Sequence, residues 1–168
     1  MVIINQSGAP LPDIAELIPH RANMVMLDRV ISVDAVSLCA EVTITSANPF
    51  YDDISKSVGA WVGIEMMAQT MAAFEGYQAL QLNEPVKVGF LLGTRHYESH
   101  CDHFPLGCTL QIAVHQVIKH ANGLGAFECK ITEAHDLNNK IVAIATVTAF
   151  KPDNVTQFLQ KTDNVTTV

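Results

Sequence analysis

The chain has 168 residues, of which 49% are hydrophobic and only 16% are charged, and its formal net charge is −7. This length is typical of one domain with a core of ordinary size. The negative charge, with scattered Lys and Arg, argues against nucleic acid or an anionic membrane as a partner. The excess of apolar over charged residues predicts a buried oligomer interface or an apolar ligand pocket in addition to the core.

The beginning of the chain lacks a basic segment followed by an apolar one, so no secretory signal peptide is predicted. The longest apolar run, from Val58 to Phe74, is shorter than the ~20 residues that span a bilayer, and it contains a Glu. We therefore expect a soluble, cytoplasmic protein that does not enter a membrane.

The four cysteines predict no metal centre. They show neither a C-x-x-C pair nor a zinc-like spacing, at Cys39, Cys101, Cys108 and Cys129. We expect reduced and mostly buried thiols, and no metal or other cofactor.

The first half of the chain predicts a short helix, a hairpin and a long helix. The short helix covers Asp13 to Leu17, and the hairpin strands cover Met24 to Val33 and Leu38 to Thr45. Residues 46–57 form an irregular loop, and the serine that ends it is able to cap the next helix. That helix is predicted from about Val58 to Leu80.

The second half alternates apolar and polar residues as strands do. Four strands are predicted, at Val86–His100, Thr109–Lys119, Gly125–Glu133 and Ile141–Phe150. A helix that is apolar nearly all round must be wrapped by its surroundings, and an antiparallel sheet curled around it meets that need. We expect a single domain over residues 1–152, with an N-terminal extension, and a polar C-terminal tail over residues 153–168.

Glu65 is the strongest candidate for chemistry, because it interrupts the apolar run near its middle. A carboxylate among apolar residues is costly unless it is paired or protonated, which makes it a candidate general acid or base. The alternative is a glutamate at a helix edge that swings out to solvent. Gln69, one turn later, either holds the carboxylate by a hydrogen bond or serves as a packing or interface amide.

Three segments resemble one enzyme family. Leu17-Ile18-Pro19-His20-Arg21 and Met26-Leu27-Asp28-Arg29-Val30 resemble the start of the 3-hydroxyacyl-acyl-carrier-protein dehydratases of type II fatty-acid synthesis. Gly63-Ile64-Glu65-Met66-Met67-Ala68-Gln69 is similar to the central helix of that family, whose Glu is catalytic. The A-W-V-G-I-E helix start is most similar to the dehydratase-like proteins of aryl-polyene pigment clusters. The resemblance covers residues 14–150 and implies an α+β hot-dog fold, an antiparallel sheet wrapped around one long central helix.

One departure from the family concerns the second catalytic group. The family carries a catalytic His in the loop before the helix, whereas the loop Asn48–Ile54 has none, and the family spacing from Glu65 leads to Tyr51. The replacements that remain open are His20, Tyr51 or Asp52, Glu65 alone with a water, or a His from a partner subunit. His103, in a later H-F-P segment, is expected to be a turn residue.

The resemblance implies a dehydratase-like protein that removes water from 3-hydroxyacyl thioesters in fatty-acid or polyene synthesis. Glu65 would assist departure of the hydroxyl group, and we take His20 as the second catalytic candidate. Backbone N–H groups at Gly59, Ala60 and Trp61 are the candidate donors to the thioester carbonyl, with Gln69 as a further substrate-binding candidate. The expected partner is an acyl carrier protein that bears the thioester.

Two alternative functions remain open. A hot-dog acyl thioesterase needs only one helix carboxylate and a water, and a non-catalytic subunit of a heterodimeric dehydratase needs no site of its own. In each case an exposed sheet edge predicts a homodimer or higher even oligomer, or a heterodimer with a paralogue, paired through the strand Val86–His100.

Overall fold

The computed structural model describes residues 10–134, 136, 140–152 and 155, and at residue 95 the backbone alone. Six antiparallel strands form one sheet in the order β1-β2-β7-β8-β9-β5, and three short strands form a second sheet in the order β3-β4-β6. One long helix, α2, packs against the larger sheet. This is the predicted α+β arrangement, in which a sheet wraps a central helix.

The elements follow one another along the chain as two helices, nine strands and two 3-10 turns in the described residues. The helices are α1 (Ile14–Leu17) and α2 (Gly63–Gln81), and the 3-10 turns are Ala22–Met24 and Ala60–Val62. The strands are β1 (Arg29–Val33), β2 (Ser37–Thr43), β3 (Tyr51–Asp52), β4 (Ser57–Gly59), β5 (Phe90–Ser99), β6 (His103–Pro105), β7 (Thr109–Lys119), β8 (Leu124–Glu133) and β9 (Ile141–Phe150).

The first strand begins later than the sequence predicts. Extended pairing starts only at Arg29, because the backbone of Met24 and Met26 bonds to a side chain of α2 and not to a neighbouring strand. The amide of Gln69 donates to the Met24 carbonyl oxygen at 2.7 Å and accepts from the Met26 N–H at 2.9 Å. This segment therefore joins the helix to the sheet edge instead of extending the sheet.

The start of the central helix also differs from the prediction. Ser57 does not cap it, because this residue lies in β4 and its hydroxyl pairs with that of Ser55 at 2.7 Å. The Ala60 N–H bonds to the Asp102 carbonyl oxygen at 2.9 Å, which continues the β4–β6 pairing. The α-helix consequently begins at Gly63, after a 3-10 turn.

The central helix is buried on several sides, as its apolar sequence predicts. Its fully enclosed side chains include Met66, Met67 and Phe74, and the polar Gln69 is buried with them. The helix α1 crosses it at Gly76, where a Cβ atom would collide with the carbonyl oxygen of Leu17. Glycine at this position thus sets how closely the N-terminal segment approaches the helix.

Replacing Gly76 by Ala tests this contact, because helix propensity and packing predict changes of opposite sign in the free energy of unfolding. Helix propensity alone predicts that the change stabilises the protein by about 1 kcal/mol. The collision with the backbone of Leu17 predicts destabilisation of about 1–3 kcal/mol, because backbone atoms cannot rotate away. Denaturant unfolding of both proteins at equal concentration measures the difference, and a more stable variant would contradict the packing described.

Two features of the outer surface bear on assembly. The strand β5 forms one edge of the larger sheet, and two of its leucines, Leu91 and Leu92, are exposed. Among the described residues, no helix is both long enough and apolar enough to cross a membrane. The predicted tail, residues 153–168, lies outside the described residues except for residue 155, so the boundary at 152 stays a prediction.

Candidate active site

Glu65 lies in the first turn of α2, where the helix dipole favours a negative charge. Its side chain is one-third exposed. One carboxylate oxygen, Oε1, accepts a hydrogen bond from Gln69 Nε2 at 2.9 Å. Gln69 therefore combines the two roles that the sequence left open, since the same amide orients Glu65 and fastens the helix to the segment of Met24 and Met26.

His20 meets Glu65 from a different part of the chain. Its Nε2 lies 3.4 Å from Glu65 Oε1, and its side chain is 30% exposed. The segment that carries it is fixed before His20 by the contact of Leu17 with Gly76, and after it by the hydrogen bonds of Gln69 to Met24 and Met26. The two residues proposed as catalytic from the sequence are thus neighbours in the structure.

The second nitrogen of His20 has an unusual environment. His20 Nδ1 is buried and has no hydrogen-bond partner among the residues that the structure describes. Buried polar atoms are nearly always paired, so His20 Nδ1 is an exception. Nε2, which lies beside Glu65, is therefore the ring nitrogen that remains for contact with a bound molecule.

A cavity of about 480 Å³ begins at His20 and Glu65 and extends along one side of α2. This volume is within the range of small-molecule sites. Small and apolar side chains form most of its walls, among them Ala68, Met71 and Ala72 of the helix and Phe127 of β8. The pair found from the sequence therefore lies at one end of an apolar channel.

The far end of this cavity contains polar residues that the sequence analysis missed. Glu75 of α2, Gln116 of β7 and Lys151 after β9 line it there. The only signal in the sequence was Glu75 itself, a second carboxylate on the same side of the helix as Ala68 and Ala72. Gln116 and Lys151 come from distant parts of the sequence, so no spacing rule connects them to Glu65.

The three backbone donors proposed at the helix start lie outside this cavity. The Ala60 N–H is already bonded to Asp102, which removes it from the set of carbonyl donors. Gly59 ends β4, and Trp61 is 63% exposed, with its ring edge-to-face against Phe50 at a centroid distance of 5.3 Å. Gly59 and Trp61 remain candidates only for a substrate that approaches the helix start from outside.

Tyr97 holds this helix start in place. Its hydroxyl donates to the carbonyl oxygen of Ala60, and burial raises the pKa of Tyr97 to about 12. The phenol therefore stays protonated at neutral pH and acts as a donor. Burial also raises the pKa of Cys39 to about 11 and that of Cys129 to about 12, so neither is a thiolate nucleophile at neutral pH.

The loop before the helix contains no good proton acceptor. Asp52 accepts hydrogen bonds from the N–H groups of Ile54 and Ser55 in a tight turn. A side-chain hydrogen bond with Ser55, followed by these backbone bonds, lowers the pKa of Asp52, which makes it a weaker base. Tyr51, to which the family spacing from Glu65 leads, is a half-buried strand residue packed against the core.

His103 does not join the candidate site. It lies in the strand β6, opposite Gly59, and not in the turn that the sequence predicted. Its side chain is exposed, and no hydrogen bond or ion pair connects it to Glu65 within the described part of the chain. No group of three or more His, Cys, Asp or Glu suited to a metal ion occurs among the described residues.

Comparison with known protein families and structures identifies the family and the fold. A model of the ApeP-like family, described as ApeP dehydratase, matches residues 12–160. The dehydratase heterocomplex ApeI:P from Xenorhabdus doucetiae contains a chain with 25% sequence identity and a TM-score of 0.80, and the match covers 89% of this chain and 96% of that one. No curated protein sequence matches the chain.

More distant structures share the fold alone. Cj0977, a sigma28-regulated virulence protein from Campylobacter jejuni, matches with a TM-score of 0.61 at 12% identity, over 84% of this chain and 96% of that one. The PaaI protein of E. coli, from its phenylacetic acid degradation operon, matches with a TM-score of 0.54 at 14% identity, over 72% and 80%. The chain has the predicted hot-dog fold.

Proposed function

Because the chain belongs to the ApeP-like dehydratase family, we propose that it is one subunit of a dehydratase that removes water from 3-hydroxyacyl thioesters in polyene synthesis. The observation that carries the proposal is the meeting of Glu65 and His20 at one end of an apolar cavity. An acyl chain fits apolar walls, and a carboxylate beside His20 at the end of the cavity fits the acid that an elimination needs.

The elimination breaks two bonds and forms a double bond between C2 and C3. A base takes a proton from C2, and an acid protonates the hydroxyl group on C3, which leaves as water. Glu65 suits the second task, because Oε1 faces Gln69 and His20 while Oε2 has no partner among the described residues. The free oxygen is therefore available to the hydroxyl group of the substrate.

His20 is better suited to position Glu65 than to take the C2 proton. Its Nδ1 is buried and its Nε2 lies 3.4 Å from Glu65 Oε1, so the ring nitrogen that is left for chemistry is directed at the carboxylate. The base is then supplied by a second subunit, namely the histidine that the family carries in the loop before its helix. The similar chain from Xenorhabdus doucetiae belongs to a dehydratase heterocomplex, which supports an assembly of two different subunits.

The surface of this chain supports such an assembly. The aromatic pair Phe50 and Trp61 and the side chain of Ile54, which is 95% exposed, place apolar area beside the helix start. The strand β5, at the edge of the described sheet, adds exposed leucines, and a second sheet can extend such an edge. We assign these surfaces to the partner subunit. The substrate is then carried by an acyl carrier protein, and the reaction takes place in the cytoplasm.

Incubation with 3-hydroxyacyl-carrier protein and, separately, with acyl-carrier protein tests the proposed function by mass spectrometry. Each substrate is incubated with this chain alone and with this chain plus a family member that carries the loop histidine. Loss of one water from the hydroxyacyl group supports the dehydratase. Release of free acid from either carrier would instead support a thioesterase, and unchanged masses in every sample would leave only a binding role.

A further inference from the structure

Side chains from three separate elements line the far end of the cavity. Gln116 Nε2 donates to Glu75 Oε1 at 3.1 Å, and Lys151 Nζ forms an ion pair with Glu75 Oε2. Both oxygens of Glu75 are therefore occupied. We call Glu75, Gln116 and Lys151 the distal cluster.

The position of Lys151 is fixed by its backbone as well as by its charge. Its N–H bonds to the Gly123 carbonyl oxygen at 2.9 Å, in the turn between β7 and β8. Gly123 has φ +92°, and a Cβ atom there would collide with the Lys151 carbonyl oxygen. The end of β9 is thereby held against this turn, and the lysine side chain crosses from it to α2.

The distal cluster lies at a defined distance from the reacting end. Glu65 and Glu75 are ten residues apart on one helix, which corresponds to about 15 Å along its axis. An extended chain advances about 3.5 Å for every three single bonds, so about a dozen bonds fit between the two ends. Between them, the cavity is lined by Ala68, Met71 and Ala72 and by the sheet.

A hydrocarbon chain should bind more tightly with each carbon that the cavity buries, until its end reaches the distal cluster. Each methylene moved from water to apolar walls is worth about 0.8 kcal/mol, which corresponds to a roughly fourfold tighter Kd. A methyl end that reaches the distal cluster must separate Glu75 from Lys151 or strip water from them. Breaking a partly buried ion pair without replacing its partners is unfavourable.

We propose that the distal cluster sets the upper length of the acyl chain that this subunit accepts, at about a dozen bonds beyond the reacting carbons. The inference rests on the proposed function, because it takes the cavity as the acyl site. It assigns Glu75, Gln116 and Lys151 to specificity and gives them no part in the proton transfers.

Binding of saturated acyl-pantetheine thioesters of increasing length tests the limit without turnover. These probes lack the 3-hydroxyl group, so calorimetric titration of the purified complex measures affinity alone. The Kd should fall about fourfold per added carbon and then stop falling or rise once the chain reaches the distal cluster.

Variants of the distal cluster should change the chain length at which the Kd stops falling, which we call the break. Glu75→Ala combined with Lys151→Ala removes both side chains and should shift the break by about two carbons or more. Lys151→Ala alone should shift it in the same direction, which keeps the test available if the double variant does not fold. Glu75→Gln combined with Lys151→Met keeps the volume but removes the ion pair, so it should shift the break in the same direction by less than the Ala pair does.

The control is an ion pair away from the cavity. Glu133 and Lys140 pair at 3.1 Å on the surface, and replacing both by Ala should change no Kd. A smooth fall of Kd through all lengths, or a break that stays in place when both Glu75 and Lys151 are shortened, would overturn the proposal. Either result leaves the dehydratase function standing, since water loss is measured on other substrates. A failure of every thioester to bind would also overturn it.

Discussion

Adding a family member that carries the loop histidine should raise the rate of water loss by about 10²–10⁴-fold over this chain alone, the usual contribution of a positioned general base. The reason is the lack of a base on the open side of the site. His20 Nε2 faces Glu65 and His20 Nδ1 is buried, Asp52 is engaged in a turn that lowers its pKa, and Tyr51 packs against the core.

The rate is measured at a fixed amount of this chain while the partner is increased. It should saturate at equal molar amounts, and a partner whose loop histidine is replaced by Ala should form the same complex without the gain. If this chain alone already matches the mixed sample, a shared site is contradicted. In that case His20→Ala should cost the same factor, whereas His103→Ala should cost little.

Replacing Gln69 by Met should destabilise the protein by about 2–4 kcal/mol, because three hydrogen bonds of a fully buried amide are lost and the Met26 N–H stays buried without its acceptor. Methionine has a similar length, so no large void forms. The same change should slow water loss, since Glu65 loses the donor that orients it and the segment with His20 loses its attachment. Chemical denaturation and the turnover assay measure the two effects.

A matched variant separates these contacts from a general effect of removing an amide. Gln78, on the same helix, makes one hydrogen bond of 3.5 Å to the Ala35 carbonyl oxygen. Gln78→Met should change stability by no more than about 0.5 kcal/mol. An equal loss in both variants would show that Gln69 has no special part in the site.

The sequence predicts the elements whose pattern is local. The strands β7 and β9 begin and end where alternation of apolar and polar residues places them, at Thr109–Lys119 and Ile141–Phe150. The central helix follows from the length of its apolar run, since a continuous apolar segment of this length exceeds an ordinary buried strand. Glu65 is found for the same reason, because a carboxylate in such a helix needs an explanation.

Features that depend on contacts between distant residues could not be predicted. The segment from Met24 to Met26 alternates like a strand, yet Gln69 takes its backbone bonds. The helix start is set by the bond between Ala60 and Asp102, and the far end of the cavity by Glu75 with Lys151. None of these pairs has a characteristic spacing, because tertiary structure alone brings them together.

The role of Glu65 as the acid is tested by the rate of water loss from the two-subunit complex when this chain carries Glu65→Gln. The amide is nearly isosteric with the carboxylate but cannot supply a proton to the leaving hydroxyl group. We expect a fall of at least about 100-fold, with an unchanged complex mass and unchanged stability, while Glu16→Gln on the exposed side of α1 has no effect. A complex that keeps most of its activity with Gln at position 65 would contradict this role. This chain would then have only a structural role in the complex.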